Sequence, residues 1–419
     1  MDIGNSVKNY PSALRESANF AYRGIKKMCK DIGPRAPGSE EEKKAQELIA
    51  EELKKSCSSV EIEEFSVHPD AFLGWVRICA VLAVIAIIMF NIGFAPVSLI
   101  LLIASIGLII SDFVLYKHRL NPFYKKKTSR NCIGVISPAK EVKRRIILSG
   151  HADSSKEWTF LYLGGPVLLK LVLVSVVVFF IAGIAASIIA IARGFLFKFT
   201  LFGGEDKLVK ILGFVLLGFL PVIIAAFFFE NRKRPVCGAN DNLTGTFASL
   251  AVAKFLNDNK LNFENTEVRI LITGSEEAGL VGSAAYVKKH LDELKEVETV
   301  FINTDTLEDI EHMAIYNRDL SSTVKNCPHA CALLKEGAFK AGLDLPYMPL
   351  FFGASDAVPP SQAGLSAVTL AAMDPAPARY YHTRRDTEEL LDLKTIEKGI
   401  DILIQTTLLF DEKGLKPAD

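Results

Sequence analysis

The residues best placed to do chemistry sit in short polar clusters, three of which follow an apolar run. "SGHAD" offers His151 and Asp153, "GANDN" offers Asp241, "SEE" offers Glu276 and Glu277, "NTD" offers Asp305, and "YYHT" offers His382. Imidazole and carboxylate groups without cysteine suit a hydrolytic zinc site, and so many acids leave room for two metals. Each cluster alone is weak, because a lone "HAD" is more often a turn and a lone "SEE" a solvated helix start. In this order and context, a purely structural reading of all of them loses force. Glu276 and Glu277 stand side by side between the run "LITG" and a glycine-flanked helix start, which suggests two neighbouring acids with different jobs.

These clusters need elements to hold them. "RRIILSG" (144–150), "EVRILITG" (267–274), "VETVFINTD" (297–305) and "LSAVTLAA" (365–372) are short apolar runs, separated by helical stretches at 242–258 and 282–297. "EEKKAQELIAEELKKS" (41–56) is amphipathic at helical spacing, and "SVEIEEFSV" (59–67) alternates like a strand. The alternation predicts an α/β fold: a mostly parallel sheet with helices on both faces, the site lying at the carboxyl ends of the strands.

That fold is interrupted. Apolar stretches at 72–93 and 95–116, and again at 166–192 and 208–229, are each about long enough to cross a bilayer core. They are read as two transmembrane α-helical hairpins. The expected order is polar chain over 1–71, hairpin 1 over 72–116, polar chain over 117–165, hairpin 2 over 166–229 and polar chain over 230–419. Arg77 and Asp112 fall at similar depth in the first hairpin, Lys170 and Glu230 in the second, so each pair is expected to meet or to snorkel to the interface. Basic residues gather in "YKHRLNPFYKKKTSR" and "ENRKRP", whereas the opposite side has little beyond Arg193, Lys198 and Lys207. The expectation is a multi-pass protein with four spans, its polar domain and both termini in the cytoplasm.

Composition narrows the class. Lysine plus arginine and aspartate plus glutamate balance at 48 each, so no global charge points to nucleic acid. The hydrophobic share of 50% is high, and the excess is concentrated in the four stretches. Seven scattered cysteines fit free thiols in a reducing compartment, and no cleavable signal peptide is visible. "CPHAC" (327–331) has no matching second half and reads as a helix start with buried thiols.

Taken in sequence order, "GPRAPGSEEEKKAQELIAEELKK", "SGHAD", "GANDNLTGT", "TGSEEAGLVGSAAY", "NTDTL", "FFGASDAVPPSQAGLSAVTL" and "YYHTRRDT" resemble the signature blocks of the clan MH zinc aminopeptidases, the aminopeptidase Y/aminopeptidase S family. The resemblance covers essentially all of the chain outside the four spans, which are an elaboration on that template.

The resemblance implies two zinc ions sharing a carboxylate. Carried over residue by residue, His151 and Asp305 hold one metal, Glu277 and His382 hold the other, and Asp241 bridges them. Asp153 orients the His151 imidazole, and Glu276 is the general base that deprotonates the attacking water and passes the proton to the departing amine. Tyr381 matches a family tyrosine that donates to the developing oxyanion. In "GASDAVP", Ala357 stands where the family often has histidine after the serine–aspartate pair, which puts the substrate contacts, not the metal set, in question. Arg384 and Arg385 offer a grip on a peptide carboxylate, or a plain surface role.

The second hairpin enters between Asp153 and Asp241, two parts of the expected metal site. The expectation is therefore a site near the lipid surface, with peptides as substrate: hydrophobic peptides or remnants of membrane proteins, against the plainer alternative of anchoring and soluble oligopeptides. The function this favours is a membrane-anchored two-zinc exopeptidase, most of all an aminopeptidase. A single-zinc enzyme like glutaminyl cyclase, a carboxypeptidase, and a non-catalytic peptidase-fold scaffold of a membrane complex stand as alternatives.

Overall fold

A computed structural model describes residues 7–415, which divide into two units. The polar unit takes the chain up to Pro69, Lys126–Lys156 and the chain from Pro235; the apolar unit takes Asp70–Lys125 and Glu157–Arg234.

In the polar unit nine strands form one sheet: β1 (Ser59–Val67), β2 (Lys127–Ile136), β3 (Arg144–His151), β4 (Thr266–Thr273), β5 (Glu298–Leu307), β6 (Met313–Asp319), β7 (Val324–Lys325), β8 (Tyr347–Pro349) and β9 (Ser366–Ala372). Their order is β1-β2-β4-β3-β5-β9-β6-β8, with β7 paired to β6. The central run β4-β3-β5-β9 is parallel, as the apolar runs predict. Towards the edges β1–β2, β2–β4, β9–β6 and β6–β7 are antiparallel. The sheet is therefore parallel where it is most deeply covered and mixed outside that region.

Period-two alternation sends successive side chains of each central strand into different cores. Ile146, Leu148, Ile270, Ile272, Val300 and Ile302 pack with Ile25, Ile49, Phe247 and Ile400. These partners come from helices Tyr10–Asp31, Glu40–Leu53, Thr244–Asp258 and Leu393–Lys413. Ile147, Leu271 and Phe301 pack on the other face with Tyr286, Val287 and Leu294 of helix Val281–Glu296. Each such fully buried side chain contributes on the order of 1.5–3 kcal/mol.

One close approach fixes the helix that follows Asp241. A Cβ on Gly150 would lie 2.7 Å from the Gly245 carbonyl carbon, and one on Gly245 would lie 2.2 Å from the Thr304 carbonyl oxygen. Only glycine lets the start of helix Thr244–Asp258 settle against the ends of β3 and β5. Helix Pro328–Lys340 starts at the "CPHAC" segment, with Cys331 buried, and all seven cysteines are free thiols.

The apolar unit contains four helices long and apolar enough to cross a membrane: Gly74–Asn91, Ala95–Val114, Thr159–Ala192 and Lys207–Ala226. Small residues let them approach, with Ala80, Ala83, Ala86, Ala186 and Ala190 buried among Phe90, Phe179 and Phe180. Their outward faces carry exposed Ile88, Ile100, Val167, Leu171 and Ile181. The third helix breaks at Gly165, whose φ of 65° precedes Pro166.

The charges in these helices find other partners than the expected ones. Asp112 is buried and its Oδ1 accepts the Leu120 N–H at 3.2 Å, while the Arg77 guanidinium lies over the Phe227 ring, 5.2 Å from its centroid. Glu230 pairs with Arg232 at 3.4 Å, not with Lys170. Asp112 is thus satisfied by a backbone donor eight residues on, and Arg77 by the face of a ring from the second hairpin.

Candidate metal centre

Every predicted ligand emerges where a central strand ends or a loop crosses that end. His151 closes β3 and Asp305 lies near the end of β5. Glu276 and Glu277 follow β4 in the turn Glu276–Ala278, which Ser275 enters with a left-handed φ of 53°. Asp241 lies in the Ala239–Leu243 segment ahead of helix Thr244–Asp258, and the Asp241–Asn242 peptide bond is cis. His382 comes from the turn after β9.

Their side chains converge. His151 Nε2 is 3.3 Å from Asp241 Oδ1, and His382 Nε2 is 3.0 Å from Asp241 Oδ2 and 3.1 Å from Glu277 Oε1. One carboxylate thus turns an oxygen to each imidazole, as a bridging ligand does. Ligand atoms of His151, Glu276 and Asp305 lie within 4.8 Å of one another, and so do those of Asp241, Glu277 and His382. Glu276 therefore stands closer to the imidazole side than its expected role as base alone requires, with Oε2 3.9 Å from His151 Nε2.

Electrostatics show what such crowding needs. Burial pushes Asp305 up to about 7, with Asp241 adding to the shift, and raises Glu276 well above the usual carboxylate range. Burial alone would lower His382, but Glu277 and Asp241 outweigh it and lift the imidazole to about 10. Burial would also raise Asp241, yet His151 and His382 hold it below the usual range. This many buried acids cannot all ionise against two imidazoles. A pair of divalent cations removes the conflict, so the donor set fits such ions chemically.

The supports are as specific as the ligands. Asp153 is fully buried, and its two oxygens accept the backbone N–H groups of Glu276 and Glu277, each at 3.0 Å. Its Oδ1 also lies 3.5 Å from His151 Nδ1, so one carboxylate sets a histidine and the backbone of both glutamates. Asp386 accepts the N–H groups of Asn240 and Asp241 at 2.8 and 3.0 Å. Glu42 accepts from Ser275 N and Oγ at 2.7 and 3.0 Å, from Ser129 Oγ, and from Gly38 N. Asn242 ties its segment to β5 through the Thr304 carbonyl and the Thr306 N–H.

Sequence reasoning missed Asp386 and Glu42. Asp386 carries a signal in its place four residues after His382. Glu42 is disguised, because "SEEE" reads as a helix-capping box, and Ser39 does accept the Glu42 N–H. The rest of the motif residues fall into place around the centre. Tyr381 is half-buried with its ring stacked on His382, centroids 3.9 Å apart. Asp356 is buried and bonded to Thr273, whereas Ser355 turns to Asp319. Ala357 is fully buried in the core with Tyr286 and Phe301, which explains an apolar residue at that position. Arg384 and Arg385 are exposed.

Residues 222–407 match the model of Peptidase family M28. That stretch is similar to peptidase family M28 and makes up less than half of the chain. Aminopeptidase YwaD of Bacillus subtilis is 30% identical over 189 residues, which cover 43% of this chain and 39% of the relative. The match thus spans about two fifths of that curated relative's length. The zinc aminopeptidase BSAP of Bacillus subtilis shares the fold with a TM-score of 0.54 at 18% identity, covering 93% of each chain. A glutaminyl cyclase of Bacteroides thetaiotaomicron has the same TM-score at 15% identity, covering 93% of this chain and 96% of the other. His151 and Asp153 lie outside the matched residues, and the end of β3 places them beside Asp241 and the Glu276–Glu277 backbone.

Proposed function

We propose that the chain is a membrane-anchored, zinc-dependent exopeptidase of the M28 type, an aminopeptidase, acting with two metal ions. The observation that carries this reading is Asp241 facing an imidazole with each oxygen, 3.3 and 3.0 Å away. His151 and Asp305 would hold one ion, Glu277 and His382 the other, and Asp241 both. Zinc ions bound there supply Lewis acidity that acidifies water and polarises a scissile carbonyl.

The chain's own groups do the rest. Glu276 is the base: its carboxylate takes a proton from the attacking water and returns it to the departing amine nitrogen. Asp153 supports that role by fixing the Glu276 N–H, and its neighbour Glu277 is turned to His382 by the same carboxylate. Tyr381, stacked on His382, is the donor for the developing oxyanion, a contact typically worth about 3 kcal/mol.

The four apolar helices, with large aliphatic side chains on their outer faces, support the membrane reading. Lys125–Lys127 and Arg232–Arg234 gather on the side where both hairpins begin and end, so the polar unit is assigned to the cytoplasm. Substrates are proposed to be hydrophobic peptides, including remnants of membrane proteins.

The test is cleavage of peptides with free and acetylated amino ends by the full chain in detergent, with metal analysis of the same sample. Free-amine-dependent release with about two zinc ions per chain supports the reading. Cyclisation of amino-terminal glutamine with a single zinc assigns the chain to cyclase chemistry instead. Absence of turnover with metal fully loaded leaves a scaffold.

A further inference from the structure

A second convergence of metal-type ligands lies in the polar unit, made of residues that the proposed catalytic centre does not use. Cys29 is near the end of helix Tyr10–Asp31, Cys237 lies four residues before Asp241, and Glu388 lies two residues after Asp386. The two sulfurs and a Glu388 oxygen all come within 4.8 Å of one another. Cys29 is buried, and Cys237 and Glu388 are half-buried.

Tetrahedral zinc with two thiolates holds its sulfurs about 3.8 Å apart, given Zn–S bonds of about 2.3 Å. The observed convergence lies within reach of that geometry. Two free thiols alone would read as a disulfide precursor. A carboxylate gathered against both sulfurs is what a cation accounts for and a disulfide does not.

The surroundings supply a charge argument of their own. Arg35 is fully buried, and its guanidinium donates to the carbonyls of Gly33, Ala152, Cys237 and Gly238. Its hydrogen bonds all end on carbonyl oxygens, so its charge is available to the cluster beside it. A divalent cation together with Arg35 balances two thiolates and one carboxylate. Hydrogen bonding from Cys29 holds the Cys237 thiol below its usual range, and Arg35 acts in the same direction.

We propose that Cys29, Cys237 and Glu388 form a further site for a borderline-soft divalent cation such as zinc, distinct from the His/carboxylate centre. Bound there, the cation ties three segments together: the end of helix Tyr10–Asp31, the segment leading to Asp241, and the chain just past His382 and Asp386. It is a clamp on the two loops that present the bridging aspartate and the last histidine. The site stands on its own ligands and does not depend on the proposed peptidase activity.

The test uses the full chain in detergent, reduced with a phosphine, stripped by chelation and titrated with Co2+ alone. No predicted ligand of the His/carboxylate centre is a cysteine, so a thiolate-to-cobalt charge-transfer band in the near ultraviolet reports the sulfur cluster specifically. The expected result is such a band, saturating with about one equivalent beyond the His/carboxylate sites. Cys237→Ser and Cys29→Ser each abolish the band and that equivalent. Glu388→Gln keeps both sulfurs and binds cobalt on the order of tenfold more weakly at this site. Cys132→Ser, a buried thiol elsewhere, leaves the band unchanged, and melting curves of all four variants establish that they fold. The proposal is overturned by wild-type protein that shows no charge-transfer band, by a band that survives both cysteine substitutions, or by a Cys29–Cys237 disulfide that forms unhindered with metal present. Loss of cobalt from the His/carboxylate centre with the band retained would instead count against the two-metal peptidase reading alone.

Discussion

Asp386 holds Asp241 from behind: its Oδ2 accepts the Asp241 N–H at 3.0 Å, while its Oδ1 accepts the N–H and side-chain amide of Asn240. The carboxylate that faces both imidazoles is therefore placed by a second carboxylate. Asp386→Ala removes that brace and leaves two buried amides without an acceptor. Zinc affinity is expected to fall on the order of 10- to 100-fold, measured by competition with a chromogenic chelator, with Asn recovering part of the loss.

Glu276→Gln separates chemistry from metal binding. A neutral amide cannot accept the water proton, so kcat is expected to drop by about 10²–10⁴ while the zinc content stays unchanged. Parallel loss of zinc and rate would assign Glu276 to the ligand set beside His151 and Asp305, a position its 3.9 Å approach to His151 makes a real competitor.

Asp153 braces two residues at once. Asn keeps a single acceptor oxygen and can satisfy only one of the Glu276 and Glu277 amides, whereas Ala satisfies neither. The graded series Asp, Asn, Ala should appear in both kcat and zinc affinity, assayed on the same preparations.

Metal-free protein should lose stability as pH rises. Burial lifts Asp356 to about 6, and Asp305 and Asp386 to about 7, from a usual 3.8. Against its own burial, Glu277 and Asp241 lift His382 to about 10 from 6.5. For each of these groups the folded state holds more protons than the unfolded chain between the usual and the raised value, so stability is lost as pH climbs through that interval. Asp241 is shifted the other way: its stabilising contribution is fully present above its usual 3.8 and is lost only as pH falls below it, outside this interval. The Tm of chelator-stripped protein is thus expected to fall steadily from about pH 5 to about pH 9. Added zinc should raise Tm more at the alkaline end, because binding needs ligands without their protons. A flat profile in stripped protein would contradict the described crowding.

Gly245→Ala tests the close approach that seats the helix after Asp241. The new methyl would meet the Thr304 carbonyl oxygen at 2.2 Å, a backbone atom with no freedom to swing aside. A loss of about 1–3 kcal/mol in unfolding free energy is expected. Zinc affinity should weaken with it, since Asn242 and Asp241 move with the helix start.

Part of this centre was legible because four of the proposed metal-centre residues sit where an apolar run stops. The four parallel strands were visible as short runs of Ile, Val and Leu, with His151, Glu276, Glu277 and Asp305 at or just beyond their ends. The antiparallel edges were less so: β8 has only three residues, Tyr347–Pro349, and no periodicity to read. Asp386 and Glu42 escaped notice because a brace is recognised by the amides it accepts, and those lie far away in the chain. The expected Arg77–Asp112 pair assumed that depth in a hairpin decides partners. Asp112 instead accepts the Leu120 N–H, and Arg77 lies over the Phe227 ring.

The chain order of the ligands has a consequence for biosynthesis. His151 and Asp153 are made first, the second apolar hairpin follows, and only then come Asp241, the glutamate pair, Asp305 and finally His382. A ribosome must therefore finish the hydrophobic insert before any cation can meet its complete grip. On the proposed two-metal reading, a chain stalled at the hairpin stage would carry His151 and Asp153 but none of the later residues assigned to hold the ions.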